Sequence, residues 1–194
     1  MRVIAGSAKR RKLKTPAGLG VRPTSDRVKE ALFNILGNSV LDCNFLDLFA
    51  GSGNIGIEAL SRGAAGVVFV EKNNKVLHII RENLCVAGFA GKARLICGEV
   101  AAVLSRLGSE NKLFDIIFLD PPYLEDYEID TLDGIAKHKL LQADGTVVVE
   151  SSKNHHLPRN IEELELVRQE KYGDTLLSFY QYITNIKLIP GEGN

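Results

Sequence analysis

Short and almost continuously apolar segments alternate with segments of helical periodicity through most of this chain. The apolar segments are residues 43–49, 66–71, 93–97, 114–119 and 145–150. The helical patterns between them lie near residues 54–62, 73–87, 99–107 and 127–139. Strands that are apolar along their whole length are typical of a parallel sheet that is covered by helices on both faces. The alternation therefore predicts a single α/β domain with a Rossmann-like sheet.

The two ends of the chain carry different patterns. A stripe of apolar residues predicts a further helix over residues 24–37, with Thr24 or Ser25 as its N-terminal cap. The strand-like runs 163–170 and 175–182 are joined by a short turn, which predicts a C-terminal antiparallel hairpin. The predicted divisions are an N-terminal extension at 1–21, a main domain at 22–184 and a C-terminal tail at 185–194.

Charge is distributed unevenly although the net charge is zero. Residues 1–30 contain nine Lys and Arg side chains and two acids, whereas the remaining 164 residues contain 15 bases and 22 acids. The extension at 1–21, which we call the N-terminal arm, has its basic run between apolar residues and glycines, so we expect a basic β-hairpin. A shaped basic surface on an acidic body favours a nucleic acid partner, and a solvated tail is the alternative. The candidate phosphate contacts are Lys9, Arg10, Arg11 and Lys12.

Several classes of protein are disfavoured. No apolar run approaches the ~20 residues of a membrane span, and the first 14 residues lack the apolar stretch of a secretory signal. The three cysteines include no C-x-x-C pair and the histidines lack metal-ligand spacing, so we expect neither disulfides nor a metal. These features predict a cytoplasmic protein without a membrane partner.

A glycine-rich loop follows the first apolar segment. Gly51, Gly53 and Gly56 satisfy G-x-G-x-x-G between a strand and a helix, and Glu71 ends the next strand. Such glycines allow a tight turn and close approach to a ligand, and the carboxylate can accept hydrogen bonds from both ribose hydroxyls of an adenosine. This spacing alone also fits a nicotinamide or flavin enzyme.

Asp47 distinguishes between these nucleoside cofactors. It lies inside the strand that precedes the loop, where a carboxylate needs a partner. Its charge suits a ligand with a cationic end and repels a pyrophosphate. S-adenosylmethionine (SAM) carries an ammonium and a sulfonium and no phosphate, so it is the favoured cofactor. The alternative is that Asp47 accepts hydrogen bonds from amides of the loop itself.

The tetrad D-P-P-Y follows the fourth apolar segment, at Asp120, Pro121, Pro122 and Tyr123. Neighbouring parallel strands end at one crevice, so the tetrad should face the glycine loop. Consecutive prolines stiffen the turn and leave the Pro121 carbonyl free to accept. Asp120 and that carbonyl can hold both hydrogens of an exocyclic amine, while the Tyr123 ring can stack on a base. A rigid turn with a capping Asp and a core Tyr is the alternative.

A second basic group lies near the start of the predicted first helix. Arg22 and Arg27 flank Thr24 and Asp26, and could clamp a phosphate at the mouth of the site. Helix capping with solvated arginines is the alternative.

These motifs together resemble one family. The segments are VIAGSAKRRKL at 3–13, RPTSDRVKEALFN at 22–34, LDLFAGSG at 46–53 and DPPY at 120–123. They look like the RsmD family of bacterial 16S ribosomal RNA (guanine-N2)-methyltransferases, over roughly residues 2 to 182. The resemblance implies a seven-stranded SAM-dependent methyltransferase fold and a guanine in small-subunit rRNA, free or within an assembly particle, as the target of a monomeric enzyme.

The resemblance also implies roles for individual residues. Asp47, Gly51 and Gly53 would lie along the methionine part of SAM and Glu71 would hold the ribose. Glu99 would meet the adenine amine where the family often has Asp. The resemblance implies further cofactor contacts at Ala50, Ser52 and Val100. Asp120, Pro121 and Tyr123 would act on the guanine, with Pro122 beside it.

Alternatives remain open at this point. An Asn at position 120 would have favoured DNA adenine-N6 or protein glutamine methylation, whereas an ionised Asp can also accept from the N1–H of guanine. A nicotinamide oxidoreductase fits the glycine spacing but not Asp47. A non-catalytic RNA-binding module would not need the crevice.

Overall fold

The computed structural model describes residues 1–16, 25–122 and 127–183, and its strands form one eight-stranded sheet in the order β3-β2-β1-β4-β5-β8-β7-β6. The strands are β1 (Asn44–Leu48), β2 (Gly66–Glu71), β3 (Ala93–Cys97), β4 (Phe114–Leu119), β5 (Leu141–Ser152), β6 (Asn160–Ile161), β7 (Leu164–Tyr172) and β8 (Thr175–Tyr182). The helices are α1 (Asp26–Leu36), α2 (Asn54–Ser61), α3 (Asn74–Ala87), α4 (Val100–Ser109) and α5 (Tyr127–Lys137).

The sheet has the predicted mixture of strand directions. Strands β1 to β5 pair in parallel, and β8 then adds antiparallel to β5. Strands β7 and β8 form the predicted antiparallel hairpin. The expected number of seven strands is too low by one, because the two-residue β6 pairs with the start of β7. A strand of two residues is too short to show a periodicity in the sequence.

Alternate residues of the central strands enter two separate apolar layers. In β1, Phe45 packs into the layer that contains α1, α2, α3 and the arm. Leu46 and Leu48 pack into the layer that contains α4 and α5. Both layers are buried, which explains why the strands read as continuous apolar runs rather than alternating ones. Asp47 follows the alternation and faces the first layer, where its partner lies on α2.

Ser25 starts α1. Its hydroxyl oxygen accepts a hydrogen bond from the Val28 N–H at 3.3 Å. Of its predicted apolar stripe, the helix buries Val28, Leu32 and Leu36, and it also buries Phe33. Thr24, the other candidate cap, lies outside the described residues.

The N-terminal arm forms a short version of the predicted antiparallel hairpin. Among its described residues, 1–16, one antiparallel bridge joins Arg2 to Lys12, and the chain turns between them. Val3, Ala8 and Leu13 are buried against the body. The predicted divisions near residues 21 and 184 fall at segments outside the described residues and stay predictions. No helix in the described part of the chain is long and apolar enough to cross a membrane.

Candidate cofactor and substrate site

The glycine loop leaves the carboxyl end of β1 in a tight turn. The Ala50 N–H donates to the Val70 carbonyl at 2.9 Å, and the Gly53 N–H donates back to the Ala50 carbonyl at 2.7 Å. Gly53 has a φ of 76°, in the left-handed region that favours glycine. Gly56 serves a different purpose, since a Cβ at this position would lie 2.3 Å from the Phe69 ring. The loop therefore needs glycine both for its turn and for close packing of α2 on the sheet.

Glu71 joins the end of β2 to this loop. One carboxylate oxygen accepts from the Gly51 N–H at 3.1 Å and the other accepts from the Asn73 N–H at 2.9 Å. Glu71 is half-buried at the carboxyl end of β2. Glu71 thus orients the loop, and a ribose contact for it stays a prediction.

Asp47 is buried beneath the loop. Its Oδ2 accepts from the Gly56 N–H at 2.9 Å, which is the structural role that the sequence left as the alternative. Burial raises the pKa of Asp47 to about 8, against the opposing effect of the Gly56 hydrogen bond. A nearby cation would favour the ionised carboxylate. Contact between Asp47 and a cationic ligand stays a prediction.

The predicted adenine contact lies at the next strand end. Glu99 immediately precedes α4, and the Gly98 N–H donates to the Glu71 carbonyl at 3.2 Å. The Glu99 carboxylate is exposed and lies 4.0 Å from Lys72 Nζ. Val100 is buried at the start of the helix, whereas Ala50 and Ser52 are buried in the loop.

Part of the D-P-P-Y tetrad lies at the same edge. Leu48 and Leu119 are register partners, so the residues that follow β1 and β4 are neighbours. Asp120 is half-buried and engaged with other residues, Pro121 is buried and Pro122 is exposed. The structure thus brings the start of the tetrad beside the glycine loop. Tyr123 lies outside the described residues.

The sequence did not suggest an aromatic pair that lies at this edge of the sheet. Phe49 precedes the loop with a φ of 57°, and its ring centroid lies 6.0 Å from that of Tyr127 at the start of α5. The pair connects the glycine loop to the helix that follows the tetrad. Non-glycine residues with positive φ are uncommon and cluster at functional sites, which is the signal that marks Phe49 in the structure.

The basic residues divide into exposed and buried groups. Lys9, Arg10, Arg11 and Lys12 are exposed on the arm, and Arg27 is exposed on α1. Arg2 forms an ion pair with Asp26, with 3.2 Å between Arg2 Nε and Asp26 Oδ2. Lys29, one of the nine basic residues of the segment 1–30, is fully buried. Arg22 and Thr24 lie outside the described residues.

Sequence reasoning missed the buried polar residues beneath the arm. Lys29 Nζ lies 3.4 Å from Glu58, which also accepts from Arg62 at 2.9 Å. Burial lowers the pKa of Lys29, and the charge of Glu58 opposes this effect. Lys29 and Glu58 each interrupt the apolar face of a helix. A charged residue on an apolar face is the sequence signal that could have revealed this pair.

Two further observations concern titratable groups. No cluster of three or more His, Cys, Asp or Glu side chains in residues 1–16, 25–122 and 127–183 is arranged to hold a metal ion. His155 is half-buried, and its Nε2 lies 3.9 Å from the buried Glu128.

The open, mostly parallel sheet with a glycine loop after β1 and an acid at the end of β2 defines a Rossmann-like α/β protein of the methyltransferase fold class. Comparison with known proteins agrees. The solved structure of a putative methyltransferase from Escherichia coli, yhhF, superposes with a TM-score of 0.81 and 34% identity, and the match covers 94% of this chain and 97% of that chain.

The chain belongs to the RsmD family. The family described as Conserved hypothetical protein 95 matches residues 1–181. The chain is 39% identical to YlbH of Bacillus subtilis (strain 168) over 93% of this chain and 98% of that relative. It is 35% identical to Ribosomal RNA small subunit methyltransferase D of Escherichia coli (strain K12) over 93% of this chain and 89% of that relative.

Proposed function

We propose that this chain transfers a methyl group from SAM to the exocyclic N2 amine of a guanine in small-subunit ribosomal RNA. The observation that carries the proposal is the meeting of two features at one sheet edge. These are a glycine loop with a buried acid beneath it and, one strand away, the Asp120-Pro121 acceptors. The name of the E. coli relative, an rRNA small subunit methyltransferase, supports the same substrate class.

The residues on the cofactor side of the site could contact each part of SAM. In this proposal Asp47 neutralises the cationic end of SAM, while the loop from Ala50 to Gly53 approaches its methionine part. Glu71 accepts from the ribose hydroxyls, and Glu99 and Val100 border the adenine. SAM supplies an electrophilic methyl group on a sulfonium. Burial raises the pKa of Asp47 to about 8, and a bound cation would lower this pKa and favour the ionised carboxylate.

The substrate side positions the amine and accepts its proton. Asp120 and the Pro121 carbonyl accept from the N2 hydrogens and direct the nitrogen lone pair at the methyl carbon. The N–C bond forms as the S–C bond breaks with its electron pair left on sulfur, and N2 then loses one proton to Asp120 or water. Tyr123 stacks on the guanine and Pro122 borders it. The contribution of these groups is chiefly positioning. No metal is needed for this displacement.

The RNA side of the proposal uses the arm. Lys9, Arg10, Arg11 and Lys12 are exposed and would contact phosphates, with Arg22, Thr24 and Arg27 as a clamp near the site. The guanine must leave its stack to reach the crevice, at a cost of a few kcal/mol. We propose a monomeric cytoplasmic enzyme that acts on rRNA either free or in an assembly particle.

The test is transfer of tritiated methyl from SAM to rRNA of a strain that lacks this enzyme. Free 16S rRNA and small-subunit particles are assayed side by side, with DNA and total cell protein as competing acceptors. Label in 16S rRNA, from either form, supports the proposal. Label confined to DNA or protein, or binding of NAD without binding of SAM, would contradict it.

A further inference from the structure

The N-terminal arm is hydrogen-bonded to the cofactor loop through one buried side chain. Asn83 on α3 is fully buried. Its Oδ1 accepts from the Lys14 N–H at 2.7 Å, and its Nδ2 donates to the Lys14 carbonyl at 3.0 Å. The same Nδ2 donates to the Ser52 carbonyl in the glycine loop at 2.9 Å. The amide of Asn83 therefore connects the arm and the loop directly.

A second buried group makes the same connection from α1. Lys29 Nζ donates to the Arg2 carbonyl at 2.7 Å and to Asn54 Oδ1 at 2.6 Å. Asn54 is the first residue of α2 and follows the glycine loop. Glu58, paired with Lys29, accepts from the Ile4 N–H at 2.8 Å. The arm backbone is thus connected, through the side chains of Asn83 and Lys29, to the residues on both sides of Gly53.

Departure of the arm would leave these buried groups without partners. A buried polar group without a hydrogen bond is costly, and a buried charge more so. The helices α2 and α3 would have to rearrange, and the Ser52 carbonyl would lose the orientation that Asn83 gives it. The conformation of the loop therefore depends on the docked arm.

We infer that the docked arm is a structural part of the cofactor site, and that Asn83 is a positioning residue for the glycine loop. The identity of the ligand rests on the proposed function, but the dependence of the loop on the arm does not. The inference separates two properties of the arm. Its exposed charges serve RNA, whereas its backbone hydrogen bonds serve cofactor binding.

Two variants break the connection at different ends. Gly6 has a φ of 80°, and a Cβ at this position would lie 1.8 Å from the Ser61 carbonyl oxygen. Gly6→Ala therefore displaces the arm without touching the loop. Asn83→Asp still accepts from the Lys14 N–H but presents an acceptor to the Ser52 and Lys14 carbonyls.

Two further variants are matched controls. Glu82 precedes Asn83 and forms an exposed ion pair with Lys14 at 3.0 Å, so Glu82→Gln breaks a surface link between the same two segments. Gly91 has open space around it, so Gly91→Ala controls for the loss of a glycine. Neither control alters the buried hydrogen bonds.

Affinity for S-adenosylhomocysteine is measured by titration calorimetry. Amide hydrogen exchange of the peptide that contains the glycine loop is measured by mass spectrometry in the absence of ligand. We expect Gly6→Ala and Asn83→Asp each to weaken binding about tenfold, the equivalent of one or two lost hydrogen bonds, and to speed exchange in residues 49–56. The controls should stay within about twofold of wild type. In turnover assays the KM for SAM should rise while kcat at saturating SAM changes less.

Amide hydrogen exchange is measured at a temperature well below the Tm of each variant, so that local opening of the loop is distinguished from global unfolding. Wild-type exchange in the loop of Gly6→Ala, together with affinity within twofold, would overturn the inference. If the wild-type protein bound no S-adenosylhomocysteine, the proposed function would fail. The exchange comparison would still decide whether the arm holds the loop.

Discussion

Replacement of Asp47 by Asn should make the protein more stable at neutral pH and unable to bind its cofactor well. The carboxyl is buried, and burial raises its pKa to about 8 from an ordinary value of 3.8. A group whose pKa is higher in the folded state stabilises folding fully below its unfolded pKa. That contribution is lost as pH rises, and the loss is complete above about 8.

The size of this loss at pH 7 follows from the difference of about three units between the ordinary pKa of an Asp carboxyl, 3.8, and the pH. At ~1.4 kcal/mol per unit, ionisation in the unfolded state removes about 4 kcal/mol of stability. Asn is neutral at every pH and can still accept from the Gly56 N–H, but its buried NH2 group costs about 1–3 kcal/mol without a partner. The net gain is therefore about 2 kcal/mol, or roughly 4–8 °C in Tm for a chain of this size.

The assay is thermal unfolding of wild type and Asp47→Asn at pH values from 4.5 to 8.5, with calorimetric titration of S-adenosylhomocysteine at pH 7. The variant should be the less stable protein at pH 4.5 and the more stable one at pH 7. Its affinity should fall by about 10- to 100-fold, as expected when a charged partner is lost. If the Tm difference between wild type and variant did not vary with pH, the raised pKa of Asp47 would be refuted. If the variant bound S-adenosylhomocysteine as tightly as wild type, a contact between Asp47 and the cationic end of the ligand would be refuted.

Other parts of the site and its surroundings yield the remaining predictions. Asp120→Ala should reduce kcat far more than cofactor affinity, because it removes an acceptor that is needed in the transition state; kcat within a few-fold of wild type would exclude this role. Tyr123→Ala should weaken RNA binding by about 1–3 kcal/mol, with Tyr123→Phe as the control that retains stacking. Alanine at all four positions 9–12 should flatten the salt dependence of RNA affinity by up to about three units in log–log slope, with SAM affinity unchanged; an unaltered slope would favour a solvated tail. Gly56→Ala should cost about 1–3 kcal/mol of folding stability, measured by denaturant unfolding, because its Cβ would overlap the Phe69 ring.

The sequence predicts the central sheet well because its signals are local. Strand β1 is mostly apolar and is followed at once by a glycine loop, and β4 is in the same way followed at once by Asp120. Parallel strands end at one edge, so the approach of the loop and the tetrad follows from the order of elements. The position of Glu71 follows in the same way from the end of β2.

The hidden parts of the site depend on contacts between distant segments. Asn83 lies 69 residues from Lys14 and 31 from Ser52, and nothing near it in the chain indicates either partner. Lys29 reads as one more positive charge until the structure shows it against Glu58 on another helix. The arm reads as a basic hairpin because its turn and apolar residues are close together in the chain, whereas its docking on α2 joins residues more than 50 positions apart.

Nucleoside analysis of the product shows whether the methyl group reaches the N2 amine of a guanine. Small-subunit rRNA from a strain that lacks the enzyme is treated with purified protein and deuterated-methyl SAM, digested to nucleosides and separated by liquid chromatography with mass detection. The account predicts one labelled nucleoside that coelutes with N2-methylguanosine, and none from the Asp120→Ala variant. Label in N6-methyladenosine or in a ring-methylated guanosine would contradict the assignment of Asp120 and Pro121 to an exocyclic guanine amine.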